Sequence, residues 1–352
     1  MAYISFQPTD YFNTLLFVGT QTADSAFTGL GFSPDIVWVK GRNYSDSPGW
    51  WDTVRGAGYG MNPTNTAAQS SFYPNGLTSF DADGFTMGNE NSTNYSGKLM
   101  ASWSWKAGTT SGIATDGSTT ITPSTYSFNQ AAGISILKYT GNNTSGAKVA
   151  HGLGVAPSMI IVKQSSATRN WGMYNIGTNA GSSPEDYIFE FDQTGGKIDN
   201  VGYWNDTVPD SVNFTIGNHA VTNGDNGGTY MAYCFAAKKG FSKFGSYTGN
   251  GNIDGPFIYT GFRPAMIIRK KDGTDDWMQV DNKRLGYNPN NAYLFPNATN
   301  AESDVTRIDL CANGFKLRTT DAGDNGDGTN YIYMAFAEFP FVSSNSKPTT
   351  AR

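Results

Sequence analysis

Three stretches of the chain share one pattern of apolar positions. They are Gly29-Leu-Gly-Phe-Ser-Pro-Asp-Ile-Val-Trp-Val-Lys40, Gly152-Leu-Gly-Val-Ala-Pro-Ser-Met-Ile-Ile-Val-Lys163 and Tyr259-Thr-Gly-Phe-Arg-Pro-Ala-Met-Ile-Ile-Arg-Lys270. In each, a Gly and then a Pro precede an apolar run that ends in Lys. The runs do not alternate, and a continuous apolar run between turn signals predicts a strand buried on both faces. The Pro fixes φ and lacks an N–H, so it belongs at the strand's entrance. The third stretch departs at its start, where Tyr259 stands in place of Gly29 and Gly152.

Other features keep the same order around each stretch. An apolar strand ending in Gly comes before it, at Phe17-Val-Gly19, Tyr139-Thr-Gly141 and Tyr247-Thr-Gly249. A Trp follows it, at Trp50/Trp51, Trp171 and Trp277. Next comes a Phe-centred strand: Gly84-Phe-Thr-Met-Gly88, Phe214-Thr-Ile-Gly217 and Gly314-Phe-Lys-Leu-Arg318. Asp81-Ala-Asp-Gly84 and Ala312-Asn-Gly314 have the form of hairpin turns ahead of two of these strands. Each copy closes on an alternating strand, Ala101–Trp105, Met231–Phe235 and Tyr333–Phe336. Strand side chains repeat with period two, so Trp103 shares a face with Trp105, and Tyr233 with Phe235; that face is expected to line the core.

These features predict an all-β chain of three tandem β-sandwich or jelly-roll-like repeats. The expected division is 1–117, 118–243 and 244–341, with a polar C-terminal tail at 342–352. The repeat framework is Gly31 and Pro34, Gly154 and Pro157, Gly261 and Pro264. No stretch has a capped 3.6-residue period over three turns, so no long helix is expected. The Gly/Ser/Thr-rich segment from Gly108 to Thr125 reads as a linker, whereas Lys238–Gly245 runs almost directly into the third copy. Three copies in one chain could pack in a line or as a pseudo-threefold ring; the pattern leaves both open.

Composition agrees with many short strands joined by tight turns. Charged residues are 15%, aromatics 14%, and Gly alone accounts for 42 positions; aromatics suit pleated half-buried surfaces, and Gly, Asn and Asp supply turns. The net charge is −5 and no Lys/Arg-rich run occurs, so a nucleic-acid partner is not expected. No apolar run is long enough to span a bilayer as a helix. Met1 to Leu15 lacks the basic start and apolar stretch of a secretory leader. Two cysteines, Cys234 and Cys311, are too few for a disulfide framework and read as reduced, buried thiols.

Catalytic chemistry is thinly provided. There are two histidines, His151 and His219, and the other copies lack a His at the place of His151, which reads as a turn residue. Glu190 and Asp192 alternate with Phe189 and Phe191, so a carboxylate pair of glycosidase type is conceivable, but the pattern equally describes a solvated face opposite an aromatic core face. Asp321-Ala-Gly-Asp-Asn-Gly-Asp327-Gly offers oxygen ligands without a calcium-loop spacing, and reads as a flexible turn. No cofactor or metal is expected. The candidates for ligand or partner contact are aromatic: Trp50, Trp171 and Trp277, which recur and so also read as core, and the non-repeated Tyr59, Tyr73 and Tyr203, which are better suited to specific recognition if exposed.

The three stretches, the Ser79–Thr86 segment, the Phe241–Asn250 junction and the ending Ala337–Arg352 carry a resemblance. From Met1 to Arg352 the chain resembles repeat-built, tail-fibre-like virion proteins of marine tailed bacteriophages. That resemblance implies a structural, non-enzymatic protein on the exterior of the phage particle. Its partners would be other virion proteins and, in a tail fibre or appendage, a host-surface glycan; such proteins are commonly homotrimers. Two alternatives stand beside it: a capsid decoration protein whose three copies mimic a threefold site, and a glycan-cleaving β-sandwich enzyme using Glu190 and Asp192.

Overall fold

The computed structural model describes residues 6–70, 75–284 and 288–340. The chain is built almost wholly from antiparallel strands, as expected. Each apolar stretch forms a strand, Ile36–Gly41, Met159–Gln164 and Phe262–Lys271, and the first two are buried at every position. Each lies between its closing strand (Leu99–Trp105, Thr229–Phe235, Asn330–Pro340) and a strand that starts at or beside the following Trp (Gly49–Asp52, Trp171–Asn175, Met278–Asp281). The opening strand (Phe12–Val18, Ile134–Thr140, Ser242–Thr248) pairs with the other edge of the closing strand. One four-strand order thus occurs three times, within residues 12–52 and 99–105, 134–235, and 242–340. In the second occurrence three more strands widen the sheet to seven.

The registers make these occurrences comparable residue by residue. Ile36 faces Trp105 and Asp52; Met159 faces Phe235 and Asn175; Met266 faces Phe336 and Asp281. Trp171 and Trp277 both stand four residues before the last of these partners, but Trp50 stands only two before Asp52, so it is not their equivalent. Pro34 and Pro157 precede their strands. Pro264 lies inside its strand, where the register slips on both sides of it; a residue without an N–H is accommodated in a ladder by such a bulge. Gly31, Gly154 and Gly261 all have φ between 71° and 85°, the left-handed region that explains a glycine there.

Alternation along these sheets divides the apolar residues into four cores. Val37, Val39, Trp51 and Met100 point outward onto Leu77, Phe85 and Met87 of a three-stranded sheet. Ile160, Val162, Tyr230 and Cys234 pack on Val149, Phe214 and Ile216. Ile267, Val280 and Tyr331 pack on Ile258, Phe315 and Leu317. The opposite faces of all three inner sheets meet in one shared core, which contains Trp38, Trp50, Trp103 and Trp105, Trp171, Tyr233 and Phe235, and Trp277, Met334 and Phe336. The alternating faces expected to line a core therefore line this central one.

Several expectations change. The Gly108–Thr125 segment is hydrogen-bonded rather than free: Thr109 pairs with Phe128, and the N–H groups of Thr120 and Ile121 reach the Lys148 carbonyl. Cys234 is buried, but Cys311 is half-buried. The tail at 342–352 lies outside the described residues.

Candidate functional site

The residues singled out for chemistry are occupied by packing. His151 is buried; its Nδ1 accepts the Leu153 N–H at 3.1 Å and its Nε2 lies 3.0 Å from the Asp210 carbonyl. Burial lowers its pKa. Asp192 is not on a solvated face. It is buried and its Oδ1 accepts the Trp171 N–H at 2.9 Å, so it fixes the start of the Trp strand. Phe189 and Phe191 enter the shared core as the alternation suggests. Burial raises the pKa of both Glu190 and Asp192.

The acidic loop at Asp321–Asp327 is not a flexible turn. Asp321 caps a four-residue helix, Ala322–Asn325, and Asp324 is fully buried between two guanidinium groups. The Arg269 side chain donates to Asp324, and Arg307 Nη1 donates to its other oxygen at 3.0 Å. Among the described residues no group of three or more His, Cys, Asp or Glu is arranged to hold a metal ion.

The aromatic candidates separate. Trp50, Trp171 and Trp277 are core residues. Tyr203 is only 5% exposed and stacks near His219, with ring centroids 4.0 Å apart, so it is not a surface aromatic. Tyr59 is 46% exposed. Tyr73 lies outside the described residues. An open groove is lined by Asp35, Thr53, Thr110, Ser124 and Tyr126. Within it Asp35 accepts from the Thr53 hydroxyl at 2.7 Å, the Ser127 hydroxyl at 3.0 Å and the Ala107 N–H at 2.8 Å.

What the structure brings together instead is a set of side chains at the contacts between the three inner sheets. Tyr233 donates its hydroxyl to Asp52 at 2.7 Å, and Asp52 is ion-paired to Arg55 at 2.6 Å. Trp103 donates its indole N–H to Asp281 at 3.0 Å, and Asp281 is ion-paired to Arg284 at 2.7 Å. Trp103, Tyr233 and Met334 occupy the same register, two residues before Trp105, Phe235 and Phe336. Met334 has no donor, and the residue it adjoins is the neutral Asn175, not an Asp–Arg pair. Asn175 turns its amide to the Tyr333 carbonyl at 3.4 Å. The second sheet thus joins the first, the first joins the third, and the third joins the second: a closed cycle.

The lysines ending the three stretches are all spent on backbone carbonyls, and two of them, Lys40 and Lys163, reach a carbonyl of another copy. Lys40 donates to the Ala298 carbonyl at 2.6 Å; Lys163 donates to those of Thr66 and Arg169 at 2.9 and 2.6 Å; Lys270 donates to those of Lys271 and Gly273 at 2.9 and 2.7 Å. All three are buried, and burial pulls each pKa down to about 8, opposed chiefly by Asp46, Asp192 and Asp275 respectively. A second threefold set escaped the sequence reading: Asn94, Asn223 and Asn325, all fully buried. Their Oδ1 atoms accept the N–H of Thr20, Asn142 and Asn250, and their Nδ2 groups donate to the carbonyls of Gly88, Gly217 and Thr319. Each ties the end of the opening strand to the end of the Phe strand. The signal for them was an Asn at nearly constant distance before the closing strand.

No helix among the described residues is long and apolar enough to cross a membrane. No curated protein and no solved structure matches the chain. A family model described as a domain of unknown function, DUF7483, matches residues 7–340. That match spans nearly the whole chain, which belongs to the DUF7483 family.

Proposed function

We propose that this chain is a non-enzymatic structural protein on the exterior of a tailed-phage particle, carried on a tail fibre or appendage and able to contact host-surface glycan. The observation that carries the structural reading is the use made of its polar side chains. His151, Asp52, Asp192, Asp281 and Asp324 are all buried and spent on hydrogen bonds or ion pairs that hold strands together. General acid–base catalysis needs such groups facing a substrate. The virion setting rests on the resemblance of the repeated stretches. A glycan contact is supported by the hydroxyl-lined groove beside Tyr126 and by exposed Tyr59, since sugars are held by hydroxyl hydrogen bonds and aromatic faces.

A second reading, capsid decoration, is favoured by one observation: the three inner sheets already close on each other within a single chain. Such a body suits a threefold site as a monomer, whereas a fibre would be built as a homotrimer. Gold-labelled antibody against the chain, imaged on intact virions, separates these readings. Label on the tail is expected; label over the head would favour decoration, and no label on any particle would remove both.

A further inference from the structure

Lys197, Asn179 and Asp272 meet where the loops of the second and third sheets touch. The Lys197 ammonium donates to the Asn179 side-chain carbonyl, lies 3.4 Å from the Asp272 carboxylate and sits 4.7 Å from the centroid of the Tyr187 ring. The Lys197 N–H also binds the Asp272 carbonyl at 2.9 Å, so the two segments are held in register by backbone as well. Asn179 is held with φ at 56°, and its Nδ2 donates to the Ser182 carbonyl at 2.9 Å, which leaves its carbonyl side turned to the lysine. Both Asp272 oxygens are buried, and the groups they face are the Lys197 ammonium and the Asn179 backbone N–H.

We infer that Lys197 and Asn179 form an intramolecular isopeptide bond, with Asp272 as the proton carrier. An amine, a side-chain amide and a partly desolvated carboxyl in contact are the groups that this amide exchange requires. Asp272 takes a proton from the Lys197 ammonium, and the neutral Nζ attacks Cγ of Asn179. The new Nζ–Cγ bond forms and the Cγ–Nδ2 bond breaks; Nζ sheds a second proton on becoming an amide nitrogen, and both protons pass through Asp272 to the departing nitrogen, which leaves as ammonium. No oxidant or second reactant is consumed. Burial, opposed by Lys197, raises the Asp272 pKa, which favours holding the proton between the two steps.

The bond would close a weak place in the fold. Lys197 leads into the two-residue strand Ile198–Asp199, which is the edge of the seven-stranded sheet and, among the described residues, pairs only with Tyr187 and Ile188. Short edge strands fray first, and a covalent tie to the Thr178–Gly181 turn would hold this one. The inference is independent of where the protein resides.

Intact-mass spectrometry and a tryptic map of the full chain test it. The purified protein is expected to be lighter than its sequence by one ammonia, with trypsin unable to cut after the acylated Lys197, so that residues 170–238 appear as one peptide that is lighter by the same mass. Lys197→Arg keeps the charge beside Asp272 and is expected to show its full sequence mass and to be cut after residue 197, giving peptides 170–197 and 198–238. Asp272→Asn, folded by circular dichroism, is expected to stay unlinked. Wild-type protein at full sequence mass, cut by trypsin after Lys197, would overturn the proposal; a linked Asp272→Asn variant would overturn the role given to the carboxyl.

Discussion

At the scale of single residues, the fold rests on polar side chains buried in threefold sets. Asn94, Asn223 and Asn325 each satisfy backbone groups on two strands. Asn223→Ala would orphan the Asn142 N–H and the Gly217 carbonyl; at about 1–3 kcal/mol per unsatisfied group, a loss of roughly 2 kcal/mol or more is expected in urea unfolding. Burial gives Lys40, Lys163 and Lys270 a folded pKa of about 8 against 10.5 unfolded. Below pH 8 both states hold the proton and the penalty for burying the charge is complete. Between the two values the folded state releases it first, so each lysine makes stability rise with pH in that window. Lys163→Met is expected to flatten this rise when unfolding free energy is measured from pH 7.5 to 10; an unchanged slope would contradict the assignment. The Lys positions were visible in the sequence as the ends of apolar runs, but their burial was not, because a terminal Lys usually reads as the solvated end of a strand.

At the scale of elements, the sequence showed the order of the strands better than the contacts between them. The apolar runs, the alternating aromatic strands and the hairpin turns at Asp81–Gly84 and Ala312–Gly314 are local signals, and the strands form where those signals lie. The glycine ending each opening strand was legible as a mark, while its reason was not. A Cβ on Gly19 would stand 2.2 Å from the Tyr95 carbonyl oxygen, and one on Gly249 2.4 Å from that of Gly326. These are close approaches of segments far apart in sequence. Gly249→Ala is therefore expected to cost roughly 1–3 kcal/mol through overpacking. Gly97→Ala, with φ at 72° and open space around it, should cost only about 1 kcal/mol, the strain of a left-handed alanine. Thermal unfolding of both variants compares them. Asp192, Tyr203 and the Asp321–Asp327 loop were misread for one reason: composition suggests exposure, and burial by a distant segment leaves no local trace.

At the scale of the whole molecule, the arrangement is a ring of contacts around one core, which the repeat pattern allowed but did not choose. The choice lies in Tyr233 on Asp52, Trp103 on Asp281 and Asn175 beside Met334, a match of donors to acceptors between separate sheets. Tyr233→Phe removes one hydrogen bond to a charged group and is expected to cost roughly 1.5–3 kcal/mol. Asp52→Ala strands the buried Arg55 and should cost about 3–5 kcal/mol. Both are expected to lower a single cooperative unfolding transition rather than split it, since the core is shared.

Small-angle X-ray scattering in solution tests the closed arrangement most directly, because it reads mass and shape together. For a compact chain of 352 residues the radius of gyration is expected to be about 20 Å at monomer mass. A clearly larger radius at monomer mass, with the pair-distance profile of three bodies in a row, would contradict the shared core.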